Sequence, residues 1–378
     1  MEILFVILLI SIPLIVLAWT LPEKWQLFPI CLATFFFLGY YSPISLFILI
    51  FTSIFNYYII NQFLPVSKAS VVVIVQMVII FLFFKLNLKN YFDPSNDILI
   101  PLGLSYYSFR QIQYAIESYK RQLPKHNLFE FLQYMFFLPT ILVGPINRFQ
   151  PFLKYINRRR WDESLFSNGL ELILYGLVKV TFLGNYLIST KLNNYVLINL
   201  NKEDWGFNYL NTIKFYLNAY FQFAGYSDIA IGLALLFGFK IIENFNYPFL
   251  AQNISDFWDR WHISLSSWCK DYIFLPFLSI TRSLKLSIII TMTIIGLWHE
   301  ISFRYILWAF LHALGINIWY KYQKSKINLK LTSYPLIKKL LGIFITFHFV
   351  AFSFVLISEK SFSQSIEILK ILFFLNYV

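Results

Sequence analysis

Ionisable side chains interrupt the apolar parts of this sequence at three places. His299 and Glu300 follow the apolar run SIIITMTIIGLW. His262 lies in SDFWDRWHISLSSW, and Asp228 lies in FQFAGYSDIAIG. A neutral imidazole can take a proton from an alcohol near neutral pH, and an acid within an apolar segment usually faces a cavity or a partner. All three places fall within one third of the chain, which predicts a shared aqueous funnel.

The residues around His262 predict the element that positions it. On a helix over residues 255–277, Trp261, His262 and Trp268 would share one broad face, with Arg260 among the surrounding charges. Two interpretations stay open. The segment is either an interfacial amphipathic helix anchored by tryptophans or a membrane-embedded wall that presents His262 to a polar cavity. Upstream, Asp228 is predicted to be an unpaired acid in an apolar helix.

The other histidines are predicted to be structural. His126 lies in the basic connector KRQLPKH and is predicted to be a solvated loop residue. His348 in FITFHFVAF and His312 in WAFLHALG are predicted to be packed, neutral core side chains. The two cysteines are far apart in sequence, so neither a disulfide framework nor a metal site is expected.

The composition excludes a water-soluble class of protein. Hydrophobic residues make up 58% of the 378 residues and charged residues 13%, whereas soluble domains average about 25% charged residues. The 43 Phe, 25 Tyr and 10 Trp suit lipid-facing and interfacial surfaces. The net charge of +12 arises in short connectors between apolar runs. That placement indicates positive-inside topology and attraction to anionic lipids, and it argues against nucleic acid as a partner.

Apolar segments recur along the chain and predict an all-α integral membrane protein, with one polytopic domain over residues 1–378. They lie at 3–20, 27–41, 43–62, 70–86, 97–119, 128–143, 165–188, 208–238, 256–278, 286–300, 303–320, 334–357 and 363–377. By length about 11 would be transmembrane helices, and the shorter ones would be re-entrant or interfacial. Residues 1–20 have no basic start and no small-residue cleavage site, so a retained first helix is expected.

Basic stretches predict the orientation. KRQLPKH (120–126), KYINRRR (154–160) and residues 321–339 would all be cytoplasmic by the positive-inside rule. Only the short segment 128–143, followed by Gly144-Pro145, separates the first two stretches. A re-entrant helix pair is therefore expected there.

Five stretches carry a pattern specific enough to indicate a family. They are PLGLSYYSFRQIQY (101–114), FLPTILVGPINRF (137–149), FQFAGYSDIAIG (221–232), ENFNYPFLAQNISDFWDRWHISLSSWCKDYIFLPF (243–277) and GLWHEISFRYILWAFLHA (296–313). Together they resemble the membrane-bound O-acyltransferase (MBOAT) family, in its bacterial branch of alginate O-acetyltransferases and teichoic-acid D-alanyltransferases. In the family's order the resemblance covers a core of about 97–320.

The resemblance implies a ring of transmembrane helices around a thinned centre, with a central funnel that reaches the catalytic histidine. The family's invariant histidine corresponds to His299, and its second conserved polar position corresponds to His262. Family members move an acyl group from a thioester to a hydroxyl. The remaining funnel-lining or substrate-binding candidates are neighbours of these positions or polar interruptions upstream: Trp298, Trp261, Asp228, Tyr226, Arg260, Ser264 and Glu300.

The chemistry of acyl transfer assigns roles to the two histidines. An alcohol is a weak nucleophile, so a base must take its proton as it attacks the thioester. His299 is the predicted base, and His262 would orient it or donate to the developing oxyanion. An acyl-enzyme relay through Cys269 or Ser264 is the alternative.

Glu300 departs from the family pattern, which commonly has Gly after the Trp-His pair. If the carboxylate paired with His299 it would stabilise the imidazolium, and if it pointed outward it would be a helix-end residue. The sequence leaves both interpretations open.

The expected function is O-acetylation of a cell-surface polysaccharide or peptidoglycan by a multi-pass protein of the bacterial cytoplasmic membrane. Acetyl-CoA would be the cytoplasmic donor, with no permanently bound cofactor. The acceptor would be an extracytoplasmic glycan or a partner enzyme that delivers the acyl group. D-alanyl transfer from a phosphopantetheinyl carrier protein to teichoic acid is the alternative within the class. A proton-coupled transporter and a non-catalytic scaffold are the alternatives outside it.

Overall fold

Helices dominate the computed structural model of this chain, which describes residues 2–86, 101–326, 333–359 and 361–375. Three π-helical segments, Ile59–Phe63, Val178–Leu192 and Lys270–Phe274, continue neighbouring α-helices. In the described ranges, β structure is limited to one bridge between Phe245 and Trp261, so the all-helical prediction is confirmed. The α-helices are α1 Glu2–Thr20, α2 Phe28–Tyr41, α3 Pro43–Tyr58, α4 Val66–Lys85, α5 Leu104–Tyr119, α6 Leu128–Met135, α7 Phe149–Arg158, α8 Glu163–Leu177, α9 Asn193–Asn199, α10 Trp205–Leu236, α11 Ile254–Arg260, α12 Ile263–Cys269, α13 Leu275–Thr281, α14 Leu284–His299, α15 Phe303–Gln323, α16 Pro335–Ser358 and α17 Phe362–Leu372.

Six helical segments of the described residues are long and apolar enough to cross a membrane. They are Ile3–Thr20, Pro43–Phe63, Val66–Lys85, Glu163–Asn199, Trp205–Leu236 and Pro335–Ser358. These segments support an integral membrane protein, but they do not confirm the expected count of about 11 spans. Residues 97–100 and 376–377 of the predicted apolar segments lie outside the described residues, as does Lys330 of the basic stretch.

The chain divides into two compact units. The first contains Met1–Tyr175 and Ser227–Ile242, and the second contains Gly176–Tyr226 and Glu243–Val378. The long helix α10 contributes residues to both units. The expectation of a single polytopic domain over the whole chain stays a prediction.

Within the first unit, the segment expected to be re-entrant consists of two short helices and a buried irregular connector. Helices α6 and α7 have 8 and 10 residues, far fewer than the roughly 20 that a span requires. The buried Arg110 of α5 donates hydrogen bonds to the carbonyl oxygens of Tyr134 (3.0 Å) and Thr140 (2.5 Å). Irregular backbone at membrane depth needs such partners for its polar groups. The membrane face on which this pair lies stays a prediction.

Within the second unit, α14 and α15 form a helical hairpin that packs closely at Gly296. A Cβ atom on Gly296 would lie 2.6 Å from the carbonyl oxygen of Tyr305 and 2.8 Å from the Cβ of Ala309. Ordinary carbon–carbon contacts are about 3.5–4.0 Å, so a side chain here forces the helices apart. The close packing of this hairpin therefore depends on the glycine at position 296.

The variant Gly296→Ala is therefore expected to lower the thermal unfolding midpoint by a few degrees, because overpacking typically costs about 1–3 kcal/mol. Differential scanning fluorimetry of the detergent-solubilised protein measures this. Gly206→Ala is the matched control, since nothing lies within 4 Å of a Cβ at that glycine. Equal midpoints for the two variants would show that the hairpin is looser than the structure indicates.

Candidate functional site

His262 lies at a break between two helices of the second unit. The prediction of one continuous helix over residues 255–277 is wrong here. Helix α11 ends at Arg260, Trp261 is extended (φ −108°, ψ 125°), and His262 has a left-handed backbone (φ 47°, ψ 52°). From Ile263 the chain is helical again, through the π-helical turn, as far as Thr281.

The break has a physical cause that helical periodicity does not show. Residues 244–246 run antiparallel to residues 260–263 and bond to their backbone. The Asn246 N–H donates to the Arg260 carbonyl and the Ile263 N–H donates to the Asn244 carbonyl, both at 3.0 Å. A left-handed residue other than glycine costs about 1–2 kcal/mol and persists only where its surroundings impose it. The pairing between residues 244–246 and residues 260–263 imposes the left-handed backbone on His262.

The side chain of Asn244 determines the tautomer of His262. Asn244 Oδ1 accepts from the Ser264 backbone N–H (3.3 Å) and from Ser264 Oγ (2.6 Å), and it lies 3.3 Å from His262 Nδ1. Because a backbone N–H can only donate, the amide atom that faces it is the oxygen. His262 Nδ1 therefore carries the proton and donates to Asn244. His262 Nε2 is the bare nitrogen, and it has no hydrogen-bond partner within the described ranges.

His262 is held neutral in this environment. The side chain is buried (2% exposed), and its ring centroid lies 4.7 Å from that of Phe223. Burial, and secondarily the charge of the nearby His299, lowers the pKa of His262 from 6.5 to about 3. The His262 ring is thus an uncharged hydrogen-bond acceptor near neutral pH.

This lowered pKa predicts how stability depends on pH. The unfolded chain takes up a proton at His262 below about pH 6.5, whereas the folded protein resists protonation there down to about 3. The unfolded state binds more protons in this window, so the stability that neutral His262 contributes is complete above about pH 6.5 and is lost as the pH falls. The thermal midpoint is expected to fall more steeply from about pH 6.5 to 4.5 for wild type than for His262→Gln. Parallel curves would contradict the burial of a neutral His262.

His299 ends α14 and is exposed, in contrast to His262. The ring centroid of Trp298 lies 4.5 Å from that of His299 and 6.0 Å from that of His262. The His299 ring also lies 5.9 Å from the rings of Tyr305 and Trp308 on α15. The second unit therefore brings the rings of both predicted catalytic histidines to within 6.0 Å of the ring of one tryptophan.

Glu300 pairs with an arginine of the following helix. It ends α14 with an extended backbone (φ −157°, ψ 138°), and its carboxylate lies 3.4 Å from Arg304 Nη2. The pair spans the turn between α14 and α15. Of the two interpretations that the sequence left open, the geometry supports a helix-end residue with its own partner.

Three more of the predicted residues belong to the helix break itself. Trp261 forms the bridge with Phe245, and its ring packs at 5.1 Å from the Phe245 ring. Arg260 Nε lies 2.6 Å from Asp256, and Nη1 donates to the Asn246 carbonyl at 3.2 Å. Ser264 donates its hydroxyl hydrogen bond to Asn244. These residues support the His262 backbone.

The polar residues of α10 are placed differently from the histidines. Asp228 belongs to the first unit, is half-buried and is not without an interaction partner, so the prediction of an unpaired acid is wrong. Tyr226 is half-buried in the second unit. Gln222 donates to Asn185 Oδ1 at 2.7 Å, which shows that part of this polarity serves helix–helix hydrogen bonding. A funnel shared by Asp228 and the histidines stays a prediction.

The other histidines are structural, with two corrections. His126 is not a solvated loop residue, because it is half-buried and its Nε2 lies 2.8 Å from the Tyr114 hydroxyl. His348 has a polar neighbour that the sequence did not indicate, since its Nε2 lies 2.9 Å from the hydroxyl of Tyr209. His312 is fully buried, as predicted.

A cavity of about 330 Å³ lies among α11, α12, α14 and α15. Ile263, which follows His262 directly, and Ile295, one turn before His299, are both part of its lining. Asp259 and Lys270 are charged residues of the same lining. Cys269 also lines it, and burial raises the pKa of this thiol, which disfavours the nucleophilic thiolate.

Asn244 is a candidate functional residue that the sequence patterns did not single out. It lies in the stretch ENFNYPF, which contributes only to the family resemblance. A signal was available, because two asparagines and a proline beside aromatic residues indicate non-helical backbone with side-chain-to-backbone hydrogen bonds. That signal does not predict that the Asn244 side chain contacts His262 and Ser264 in the folded protein.

Comparison with known proteins identifies relatives of the chain. The probable alginate O-acetylase of Pseudomonas aeruginosa is 36% identical over 225 residues, which cover 58% of this chain and 43% of that protein. The teichoic acid D-alanyltransferase of Bacillus subtilis is 33% identical over 290 residues, covering 71% of each chain. The peptidoglycan O-acetyltransferase of Helicobacter pylori is 27% identical over an alignment of 415 residues, covering 94% of this chain and 75% of that protein.

The extent of these matches differs between a single relative and the family. The chain spans less than half the length of the alginate O-acetylases that it matches. In contrast, the family model for membrane-bound O-acyltransferases matches residues 13–357, which include Asn244, His262 and His299. The chain therefore belongs to the membrane-bound O-acyltransferase family.

Proposed function

We propose that this protein transfers an acyl group from a cytoplasmic thioester to a hydroxyl of an extracytoplasmic polysaccharide or peptidoglycan. The proposed acyl group is acetyl, and the transfer is either direct or through a partner enzyme. One observation carries the proposal: the rings of an exposed histidine and of a buried, neutral histidine both lie within 6.0 Å of the Trp298 ring. Family membership supports the reaction class, and the O-acetyltransferase relatives support acetyl. The cytoplasmic membrane is the proposed location.

In the proposed reaction His299 takes the proton of the acceptor hydroxyl as its oxygen attacks the thioester carbonyl carbon. The tetrahedral intermediate collapses with cleavage of the C–S bond. The departing sulfur receives the proton, and the products are an ester and a free thiol. The exposure of His299 suits a base that must meet an acceptor from outside the protein.

His262 serves as a hydrogen-bond acceptor in this scheme. Its single N–H is directed at Asn244, so it has no proton left to donate to an oxyanion. The bare Nε2 suits a role in orienting the acceptor hydroxyl or the His299 ring. Of the two roles considered for His262, orientation is the one that its tautomer favours.

Direct transfer is favoured over an acyl-enzyme relay. The Ser264 hydroxyl donates to an amide oxygen, which is too weak a base to activate it. The Cys269 thiol is buried and its pKa is raised. Neither side chain is therefore activated as a nucleophile.

The cavity lined by Ile263 and Ile295 is the proposed entry for the acyl arm of the donor. Thr291 on α14 lines it, and among the described residues the Thr291 hydroxyl donates only to the Ser287 carbonyl of its own helix. Thr291→Phe would fill the cavity and is expected to lower kcat/KM for the donor about tenfold or more, because the thioester can no longer reach the attacking oxygen. Steady-state kinetics with varied donor concentration measures this. Ile294→Phe, at an exposed position of the same helix, is the matched control, and equal loss in both variants would exclude this path.

D-alanyl transfer to teichoic acid is the second candidate. The observation that favours it is the extent of the alignment. The teichoic acid D-alanyltransferase of Bacillus subtilis aligns over 71% of both chains, whereas the probable alginate O-acetylase of Pseudomonas aeruginosa aligns over 58% of this chain and 43% of its own. This reaction takes its acyl group from a phosphopantetheinyl carrier protein. The same histidines would perform the same proton transfer.

The test is acyl transfer by purified protein in nanodiscs, with labelled acetyl-CoA in one arm and a D-alanyl carrier protein in the other. Turnover of acetyl-CoA supports the first proposal. Turnover of the carrier thioester alone supports the second. If a well-folded protein consumes neither donor, the acyltransferase proposal fails and transport or scaffolding replaces it.

A further inference from the structure

A second cavity, in the first unit, has the chemistry of an anion-binding site. Its volume is about 790 Å³. It lies between the connector after α1, one side of α6, and the end of α7. The charged residues that line it are four cations and two carboxylates, namely Lys24, Arg158, Arg159, Arg160, Glu23 and Glu130.

The cavity lies where two membrane spans end. The first candidate span ends at Thr20, three residues before Glu23, and the span that contains α8 begins at Glu163, three residues after Arg160. By the positive-inside rule the basic run 154–160 predicts that this face is cytoplasmic. The cytoplasmic leaflet is the one that carries anionic lipids at its surface.

The cations of the cavity lack carboxylate partners. Lys24, Arg158 and Arg160 are exposed, and their side chains make neither a hydrogen bond nor an ion pair with the part of the chain that the structure describes. Glu130 is engaged in capping α6, where it accepts from the Asn127 N–H at 2.8 Å. Glu23 is thus the one carboxylate of the lining that is not already bound within the described residues.

Arg159 is positioned as a fixed charge in the cavity wall. Its guanidinium donates to the carbonyl oxygens of Phe237 and Ala18, both at 2.9 Å, and to the Gln26 side chain. It also lies 4.7 Å from the centre of the Trp19 ring. All of these partners are neutral, so burial lowers the pKa of Arg159 to about 10 without a counter-charge from the described residues. An anion in the cavity would supply that counter-charge.

Gln133 adds an independent indication of a ligand. This residue lines the cavity and is 5% exposed, yet its amide oxygen is buried without a hydrogen-bond partner in the described ranges. A buried acceptor without a partner costs about 1–3 kcal/mol. A ligand hydroxyl would satisfy it.

We propose that this cavity binds the headgroup of an anionic glycerophospholipid of the cytoplasmic leaflet. The phosphate is held by Lys24, Arg158 and Arg160 beside the fixed charge of Arg159, and a headgroup hydroxyl donates to Gln133. Phosphatidylglycerol has both groups. A lipid held here would clamp α1 to the end of α7.

The test is native mass spectrometry of the purified full chain, exchanged into detergent with equal amounts of phosphatidylglycerol and phosphatidylcholine. The variant Lys24→Ala/Arg158→Ala/Arg160→Ala removes three exposed side chains and leaves the structural Arg159 intact. It is expected to retain about tenfold less phosphatidylglycerol than wild type. Lys321→Ala/Lys324→Ala/Lys326→Ala removes the same charge from another exposed basic stretch and is expected to retain as much as wild type.

Two further arms identify the ligand class. Gln133→Leu is expected to lower retention of phosphatidylglycerol relative to phosphatidic acid, which has no headgroup hydroxyl beyond its phosphate. Equal retention of phosphatidylglycerol by the two triple variants would overturn the proposal. Displacement of the lipid by coenzyme A or inorganic phosphate would overturn the lipid assignment in favour of a soluble phosphate ligand.

Discussion

Replacing His299 by alanine is expected to reduce acyl transfer by about 10²- to 10⁴-fold, the range that a positioned general base contributes. The exposed imidazole at the end of α14 is the proposed proton acceptor for the attacking hydroxyl, and alanine has no group to replace it. Binding of the thioester should be little changed, so the loss falls on kcat. The measurement is single-turnover transfer from labelled donor in nanodiscs.

The control for this prediction is a histidine outside the site. His348→Ala removes an imidazole that is hydrogen-bonded to Tyr209 and to the Phe344 carbonyl. Its transfer rate is expected to stay within about threefold of wild type. Normal turnover by a folded His299→Ala protein would remove His299 from the mechanism and would favour a scaffold or transporter.

Replacing Asn244 by leucine is expected to reduce kcat by about 10²-fold or more, although Asn244 is proposed to act only through His262. The substitution removes the oxygen that accepts from His262 Nδ1 and from Ser264. Without it the His262 ring can take the other tautomer or rotate, and the bare Nε2 is no longer presented. The wrong tautomer of an orienting histidine is costly because the proton then occupies the nitrogen that must accept.

The conservative variant separates positioning from simple destabilisation. Asn244→Asp keeps an acceptor oxygen at the same place, so it should recover much of the activity that Asn244→Leu loses. It should also raise the pKa of His262, because a carboxylate stabilises the protonated ring. A shifted acid limb in the pH profile of kcat for the aspartate variant is therefore expected.

Asn246→Leu is the matched control for Asn244. Asn246 is exposed, and its described contacts to the helix break are made by its backbone, which leucine retains. Its activity and thermal midpoint should match wild type. If both leucine variants lose activity equally, the loss comes from the 244–246 segment as a whole and not from the Asn244 oxygen.

The sequence predicted well what depends on local composition. Long apolar runs such as 3–20 and 334–357 became helices because a helix lets a single segment satisfy its own backbone polar groups in lipid. Gly296 allows close packing of α14 on α15 because glycine has no Cβ at the helix contact. His299 and His262 were identified by their residue type in an apolar context and by the family motif around them.

Other features depended on partners distant in sequence. Residues 255–277 have helical periodicity throughout, yet the helix breaks at Trp261–His262 because residues 244–246 compete for its backbone hydrogen bonds. The Arg304 partner of Glu300 lies one helical turn away but across the end of α14, where the chain direction changes. Periodicity does not encode such pairings.

The sequence by itself indicated a membrane protein of helical class and singled out His262 and His299 as candidates. These inferences follow from hydrophobicity, from the need to satisfy backbone polar groups in lipid, from residue type and from the family motif. Only the tertiary structure decided which histidine is buried and which is exposed, and which nitrogen of His262 carries the proton. The reason is that burial and tautomer are set by neighbours. For His262 these neighbours are the Asn244 side chain, 18 residues away in sequence, and the rings of Phe223 and Trp298.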